Sequence, residues 1–333
     1  MQAVILAAGK STRTYPLTLT RPKPLLKVAN KTILEHNLNN LNGIVDEAIL
    51  IVGYKKDMIK KQFKNKYKNI KIRYVEQKQQ LGTGHAASLV EPYIKDRFIL
   101  MAGDDIYSKQ DIRNCIKYRY SILTSTVKHP ENFGVIIEKN NILIDFVEKP
   151  KGFVSGIINT SLYAFDKKIF TFLNHIKKSE RNEFELPDAV KLLSKEENIN
   201  CVRAKQWLPI GYPWDLLKAD RTLRKNRNFI GKNSKISGKI ANSSIGGNCA
   251  IKGIVRNSIV MDNTTIDYGI IEDSVIGEDV YFKGKIISKK IKAGRFGAVI
   301  GDNVSAKNVA VNAGCKIWPN KVISGKTVSK DLK

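Results

Sequence analysis

The sequence predicts an α/β protein: a doubly wound mixed sheet followed by a parallel β-helix of hexapeptide repeats. Three observations predict it. Short apolar runs alternate with amphipathic segments over the first 110 residues, β-rich runs follow one another from Ser121 to Phe165, and beyond Phe229 an aliphatic residue returns about every six positions.

The run QAVILAA, residues 2 to 8, ends at Gly9, the pattern of a buried parallel strand feeding a turn. A helix with Ile33, Leu34, Leu38 and Leu41 on one face comes next, then a strand at 47–53, an amphipathic helix from Lys55 and a strand at IKIRYVEQ. Another helix is expected after LGTGHAA. A further apolar strand, RFILMAG, runs from Arg97 into Asp104 and Asp105. In such a doubly wound sheet, ligands are expected at the carboxyl ends of the strands. The runs ILTSTV, FGVIIEK, ILIDFVEK and GIINTSLYAF extend the sheet, and helices are expected from Asp166, Glu185 and Trp214. Ile230, Ile236, Ile245, Ile251, Ile259, Ile266, Val275 and Val280 mark the hexapeptide period, with Gly-Gly, Gly-Glu and Gly-Asp turns between them. The period lapses at residues 284–296, as a loop leaving the solenoid or a break in it, and resumes at Ala298.

A chain of 333 residues, 42% hydrophobic, buries an ample core. No apolar run approaches the roughly 20 residues of a membrane span, and the N-terminus lacks a basic leader, so a soluble cytoplasmic protein is expected. The four cysteines show no CxxC or Cys/His spacing, which argues against zinc. The excess of 57 Lys+Arg over 31 Asp+Glu gives +26, which would suit an anionic partner. The lysines are spread along the chain and not interleaved with aromatics on one element, so no nucleic-acid partner is expected; attraction of triphosphates and sugar phosphates is.

The segment LAAGKSTRTYPLTLTRPKPLL, residues 6–26, follows the first strand. A Gly-containing turn lets backbone N–H groups approach phosphate, while Arg13 offers a forked cation and Lys23 a point cation. It is neither a Walker loop nor a GxGxxG turn. Taken alone, a loop this basic also reads, less strongly, as a solvated surface turn.

The segment closely resembles the fingerprint of sugar-1-phosphate nucleotidyltransferases, L-A-G-x-G-T-R-L-x-P-L-T followed by P-K-P. The resemblance continues in order through EQKQQLGTGHAA (76–87), AGDD (102–105), NFGVI (132–136), VEKP (147–150), INTSLYAF (158–165) and, less closely, WLPIGYPWDLL (207–217). It implies a Rossmann-like catalytic domain over 1–226. The repeats of 227–333 resemble the left-handed β-helix of longer members, expected to serve homo-oligomerisation or to support a lid. By resemblance the reaction joins a sugar 1-phosphate, glucose or N-acetylglucosamine 1-phosphate, to UTP or dTTP, with Mg²⁺. The nucleotide site would comprise Leu6, Ala8, Gly9, Lys10, Ser11, Thr12, Arg13, Gln77, Gln80, Gly82 and Thr83. Ala8, Gly9 and Gln77 would hold the base, Gly82 and Thr83 the nucleoside, Lys10 and Arg13 the triphosphate. Lys23 would neutralise the attacking phosphate; Gly134, Glu148, Lys149, Asn159 and Thr160 would line the sugar phosphate; Asp104 would hold the metal. Without the family order, Glu148–Lys149 reads as an exposed ion pair, Asn159–Thr160 as ordinary strand residues and Asp104 as a helix cap or a ligand.

Three departures from the pattern stand out. Ser11 replaces its second glycine and Thr14 the residue after its arginine. Pro209 falls where W-x-D-x-G supplies a second metal carboxylate. Either Asp105 or Asp215 replaces that carboxylate, or Asp104, phosphates and water hold the ion, which Mg²⁺ accepts. Pro209 also favours a rival reading, a non-catalytic regulatory or assembly subunit of the same architecture. The histidines, His36, His85, His129 and His175, all precede the repeats, so no histidine-dependent acetyl transfer is expected there.

Overall fold

The strand that opens the sequence lies inside a ten-stranded mixed sheet. The computed structural model describes residues 1–291 and 294–333. They fall into two compact units: residues 1–9 with 34–208, and residues 10–33 with 209–333.

In the first unit β1 (Gln2–Ala7) pairs in parallel with β2 (Glu47–Val52), and β2 with β3 (Ile70–Glu76). On its other side β1 pairs in parallel with β4 (Phe98–Ala102). The order β3-β2-β1-β4 places a topological switch point between β1 and β4. These strands are central because both of their faces are apolar: β2 is buried at every position and β1 at all but Leu6. Between them, α1 (Ile33–Leu41) buries Leu34, Leu38 and Leu41, and α2 (Lys56–Phe63) buries Ile59 and Phe63. The helix expected after LGTGHAA starts inside that motif, as α3 (Thr83–Ser88). After β4, α4 (Lys109–Cys115) begins at Ser108, whose hydroxyl accepts from Asp111 N at 3.1 Å. Asp104 is therefore not the cap of that helix.

The sheet continues through β5 (Ser121–Thr126), β6 (Gly134–Lys139), β7 (Ile142–Glu148) and β8 (Ile157–Phe165), and gains β9 (Asn200–Arg203). β8 runs antiparallel between β4 and β5, and β9 parallel to β5, which makes the sheet mixed. Two helices, α5 (Lys168–Leu173) and α6 (Leu186–Leu193), cover one face, where Phe170 stacks on Phe98 with ring centroids 5.7 Å apart.

In the second unit three parallel ladders rise through successive coils. Phe229, Ser244, Ile259, Val275, Val299 and Lys316 stack in the first. Ile236, Ile251, Ile266, Phe282, Ala306 and Ile323 stack in the second. Val255, Ile271, Ile286 and Val311 lie in the third. Of the aliphatic markers read from the sequence, those from Ile245 to Val280 are buried, whereas Ile230, on the ladder's end, is 51% exposed. A buried serine line stitches the coils: Ser258 N donates to Ser243 Oγ, Ser274 N to Ser258 Oγ and Ala298 N to Ser274 Oγ, with separations of 15, 16 and 24 residues. The long step is the lapse seen in the sequence. Lys289–Ile291 and Gly294–Phe296 pair as an antiparallel excursion, after which Val299 rejoins the ladder beside Val275. Residues 292 and 293 of that stretch lie outside the described residues. Helix α7 (Pro213–Arg224) belongs to this unit.

Candidate active site

In the first unit, the loops leaving β1 and β4 meet at the switch point. Gly103 N donates to Leu6 O at 2.9 Å. A Cβ on Gly103 would lie 2.7 Å from that carbonyl, so glycine is what lets the β4 exit, and Asp104 with it, lie against the end of β1. Ala8 O accepts from Tyr54 N at 3.0 Å and from Gln80 Nε2 at 2.8 Å, which fixes the β1 exit before Gly9. Gln77 is buried and leaves β3; its amide donates to Gly82 O at 3.0 Å and lies 3.1 Å from His85 Nδ1. His85, assigned no role from sequence, is thus a hydrogen-bond partner of a nucleotide-site candidate. Gly82 has φ 104° and ψ 177°, a region open essentially to glycine alone. Beyond it, Gly84 N donates to Phe184 O at 2.8 Å and Leu186 N to Thr83 Oγ1 at 3.1 Å. The 82–84 turn is pinned to residues 184–186.

A cavity of about 260 Å³ adjoins that turn. Thr83, Gly134, Glu148 and Asn159 line it, together with Leu6, Ser161, Tyr163, Arg181 and Glu185. At Gly134 a Cβ would fall 2.4 Å from the Phe146 ring and 2.8 Å from Glu148 Oε2, so only glycine leaves Glu148 its place. Arg181 reaches Glu185 Oε1 at 2.7 Å and Glu148 Oε1 at 3.3 Å. Burial pushes the Glu148 carboxyl above its usual range, against the pull of Arg181 and Lys149. Asn159 bridges the Tyr163 hydroxyl at 2.7 Å and Ser161 N at 2.8 Å.

Thr160 is elsewhere: its side chain is buried and its hydroxyl donates to Leu123 O at 2.8 Å. Alternation along β8 turns Asn159 and Ser161 to one face and Thr160 to the other. Lys149 is exposed beside the cavity, its Nζ 3.9 Å from Glu148 Oε1. Sequence reasoning missed Arg181 and Glu185. Their signal is the charged run ERNEFE, residues 180–185, just before α6.

The phosphate-loop candidates from Lys10 onward belong to the second unit. Ser11 is in the left-handed conformation, φ 50° and ψ 57°, which explains a glycine in the pattern there. Ser11 O accepts from the hydroxyls of Thr14 and Thr18, both at 2.8 Å, so the two departures are in hydrogen-bond contact. Lys10, Thr12 and Arg13 are exposed, and the Arg13 guanidinium lies 5.7 Å from the centre of the Tyr212 ring. Lys23 is buried in the turn Lys23–Leu25.

The two substitute carboxylates already hold structural bonds. Asp215 Oδ2 accepts from Gly211 N at 2.9 Å and Tyr212 N at 2.7 Å, capping α7, and Asp105 Oδ2 accepts from Trp207 Nε1 at 3.1 Å. Burial pushes Asp215 above the usual carboxylate range, with Lys23 pulling it back. Among the described residues no group of three or more His, Cys, Asp or Glu is gathered as a metal cage. One carboxylate at a strand end suits an ion that keeps water and phosphate as its other ligands.

A profile described as nucleotidyl transferase matches residues 2–226. The chain belongs to that family. It is 36% identical to the bifunctional protein GlmU of Methanocaldococcus jannaschii, over 96% of this chain and 92% of that protein. It is 33% identical to the UTP–glucose-1-phosphate uridylyltransferase AglF of Haloferax volcanii, over 68% of this chain and 97% of that one. Among solved structures, a putative glucose-1-phosphate thymidylyltransferase from Bacillus anthracis is similar with a TM-score of 0.61 and 27% identity, over 70% of this chain and 98% of that one. Among the described residues no helix is long and apolar enough to cross a membrane.

Proposed function

We propose that the protein joins a sugar 1-phosphate to a nucleoside triphosphate, making an NDP-sugar and pyrophosphate. The observation that carries this reading is the meeting of Ala8–Gly9 and Asp104 at the ends of adjacent central strands, in a chain whose residues 2–226 match the nucleotidyl transferase family. UTP or dTTP is the nucleotide, and glucose or N-acetylglucosamine 1-phosphate the sugar; similarity to a UTP-dependent uridylyltransferase and a thymidylyltransferase supports the pyrimidine.

A sugar-phosphate oxygen attacks the α-phosphorus in line. The new P–O bond forms as the bond from the α-phosphorus to the α,β-bridging oxygen breaks, and that oxygen leaves with the electron pair as part of pyrophosphate. The obstacle is crowded negative charge, so cations and positioning do most of the work. Lys10 and Arg13 take the triphosphate and Lys23 the attacking phosphate. Gln77, with Ala8 and Gly9, receives the base, and Gly82 and Thr83 pack on the nucleoside. Glu148 and Asn159 accept and donate to sugar hydroxyls in the cavity. Asp104 would hold Mg²⁺, whose charge, when bound, offsets that of the phosphate oxygens.

On this reading residues 1–226 are the catalytic domain of a cytoplasmic enzyme, and 227–333 are a left-handed β-helix through which copies of the chain associate. The coils carry no histidine and are assigned no acetyl transfer, although several relatives are named bifunctional. The test is pyrophosphate release with Mg²⁺, pairing UTP, dTTP, GTP, CTP and ATP with each sugar phosphate. Release that needs both substrates is expected with a pyrimidine nucleotide. No release from any pair in folded protein would sink the reading and favour the non-catalytic subunit.

A further inference from the structure

The segment flanking Lys23 is fastened to one corner of three successive coils. Thr20 Oγ1 and Arg21 Nη2 both donate to Asp302 Oδ2 at 2.5 Å. Arg21 Nη1 donates to Glu278 Oε1 at 2.5 Å, and Lys27 Nζ pairs with Asp262 and lies 3.9 Å from Glu278 Oε1. Asp262, Glu278 and Asp302 occupy equivalent places, each three residues past the stacked ladder residues Ile259, Val275 and Val299. The coils below and above carry Gly247 and Pro319 at that place, so the acids occur only where the segment runs.

Each aspartate is braced from behind. Asp262 Oδ1 accepts from Gly247 N at 3.0 Å, and Asp302 Oδ1 from Glu278 N at 2.8 Å. A Cβ on Gly246 or Gly277 would lie 2.4 Å from those same oxygens, so glycine at both positions is what admits the brace. Arg21 is 7% exposed. Between it and Lys23 stands Pro22, and Pro24 follows; two fixed φ angles leave little slack, so a shift at Arg21 is transmitted to Lys23.

We propose that Asp262, Glu278 and Asp302 are positioning residues for the nucleotidyl transfer, holding Lys23 through Arg21 and Lys27, so that the coils complete the site that receives the attacking phosphate. The inference rests on the proposed function. It separates Lys23 from Lys10 and Arg13: loosening the corner affects the sugar-phosphate side of the reaction before the nucleotide side.

The experiment compares Glu278→Gln and Asp302→Asn in the full chain with Asp267→Asn, which removes a coil carboxylate that pairs with Lys252 and Tyr281. Pyrophosphate release is measured with each substrate varied in turn, beside circular dichroism and melting curves. For both corner variants kcat is expected to fall about tenfold or more, since small misplacements of reacting groups are costly. KM for the sugar phosphate should rise while KM for the nucleotide stays within about twofold, and Asp302→Glu should recover part of the loss. Asp267→Asn should behave as the wild type. Wild-type kinetics in the corner variants, or equal rises in both KM values, would overturn the proposal. If Asp302→Asn does not fold, Thr20→Val, which deletes one contact to the same carboxylate, carries the same expectation at smaller size. An inactive wild type would overturn the proposed function and this inference with it, whereas an active wild type whose corner variants keep wild-type kinetics would overturn the inference alone.

Discussion

Replacing Gly82 by alanine gives the sharpest separation of nucleotide binding from the rest of the site. At φ 104° and ψ 177° an L side chain costs about 1–3 kcal/mol. The added Cβ would sit 2.4 Å from Phe184 O and 2.9 Å from Phe184 N. Those two atoms are hydrogen-bonded to Gly84 N and Leu81 O, both at 2.8 Å, and displacing Phe184 puts two hydrogen bonds worth about 1 kcal/mol each at risk. The local cost is therefore about 3–5 kcal/mol if the turn is held, and relaxation is cheaper than strain. The turn should move, carrying with it Gly82 O, the acceptor for the Gln77 amide. Gly82→Ala is expected to raise KM for the nucleotide at least about tenfold, the equivalent of 1.4 kcal/mol, with a smaller effect on the sugar phosphate. Initial rates of pyrophosphate release with each substrate varied in turn are the assay. An unchanged nucleotide KM together with an unchanged melting midpoint would refute the reasoning.

Gly134→Ala should do the opposite, raising KM for the sugar phosphate by displacing Glu148, as the same kinetics with the sugar varied will tell. Glu148→Gln should weaken sugar binding without destabilising the chain at neutral pH. Because the folded state holds the Glu148 proton more tightly than the unfolded state, stability falls as pH rises from the usual carboxylate range through the raised folded value, and the cost persists above it. Melting curves of the variant should match the wild type below that range and lie at or above it at neutral pH. Arg13→Ala, an exposed side chain, should cut turnover with the melting midpoint unchanged; unaltered turnover would take Arg13 out of the mechanism. Asp104→Ala should lose rate and metal dependence together, which a Mg²⁺ titration of pyrophosphate release will check.

The parallel core was legible because β1, β2 and β4 are apolar on both faces, which suits inner strands of a sheet covered on both sides. The turn after β1 and the QLGTGHAA turn were legible as turns because backbone geometry restricts residue choice there, glycine at 82 above all. Thr160 was misplaced by reading a motif as a string: period-two alternation already separates it from Asn159 and Ser161. Arg181 and Glu185 stand more than thirty residues beyond Glu148, and nothing local links them to a cavity. Asp262, Glu278 and Asp302 read as ordinary turn residues. Their alignment depends on steps of 16 and 24 residues, and the longer one is set by an excursion no hexapeptide count foresees.

The bond between Thr20 and Asp302 spans 282 residues. Chain synthesis proceeds at roughly 5–20 residues per second, so about 15–55 s separate the appearance of these two partners on a ribosome. During that interval the sheet strands through β9 are completed, and the carboxylates that meet Lys27 and Arg21 follow at residues 262, 278 and 302. The nascent chain thus carries a basic segment whose acidic anchors appear one coil at a time, so that residues 20–27, encoded almost first, are fastened among the last.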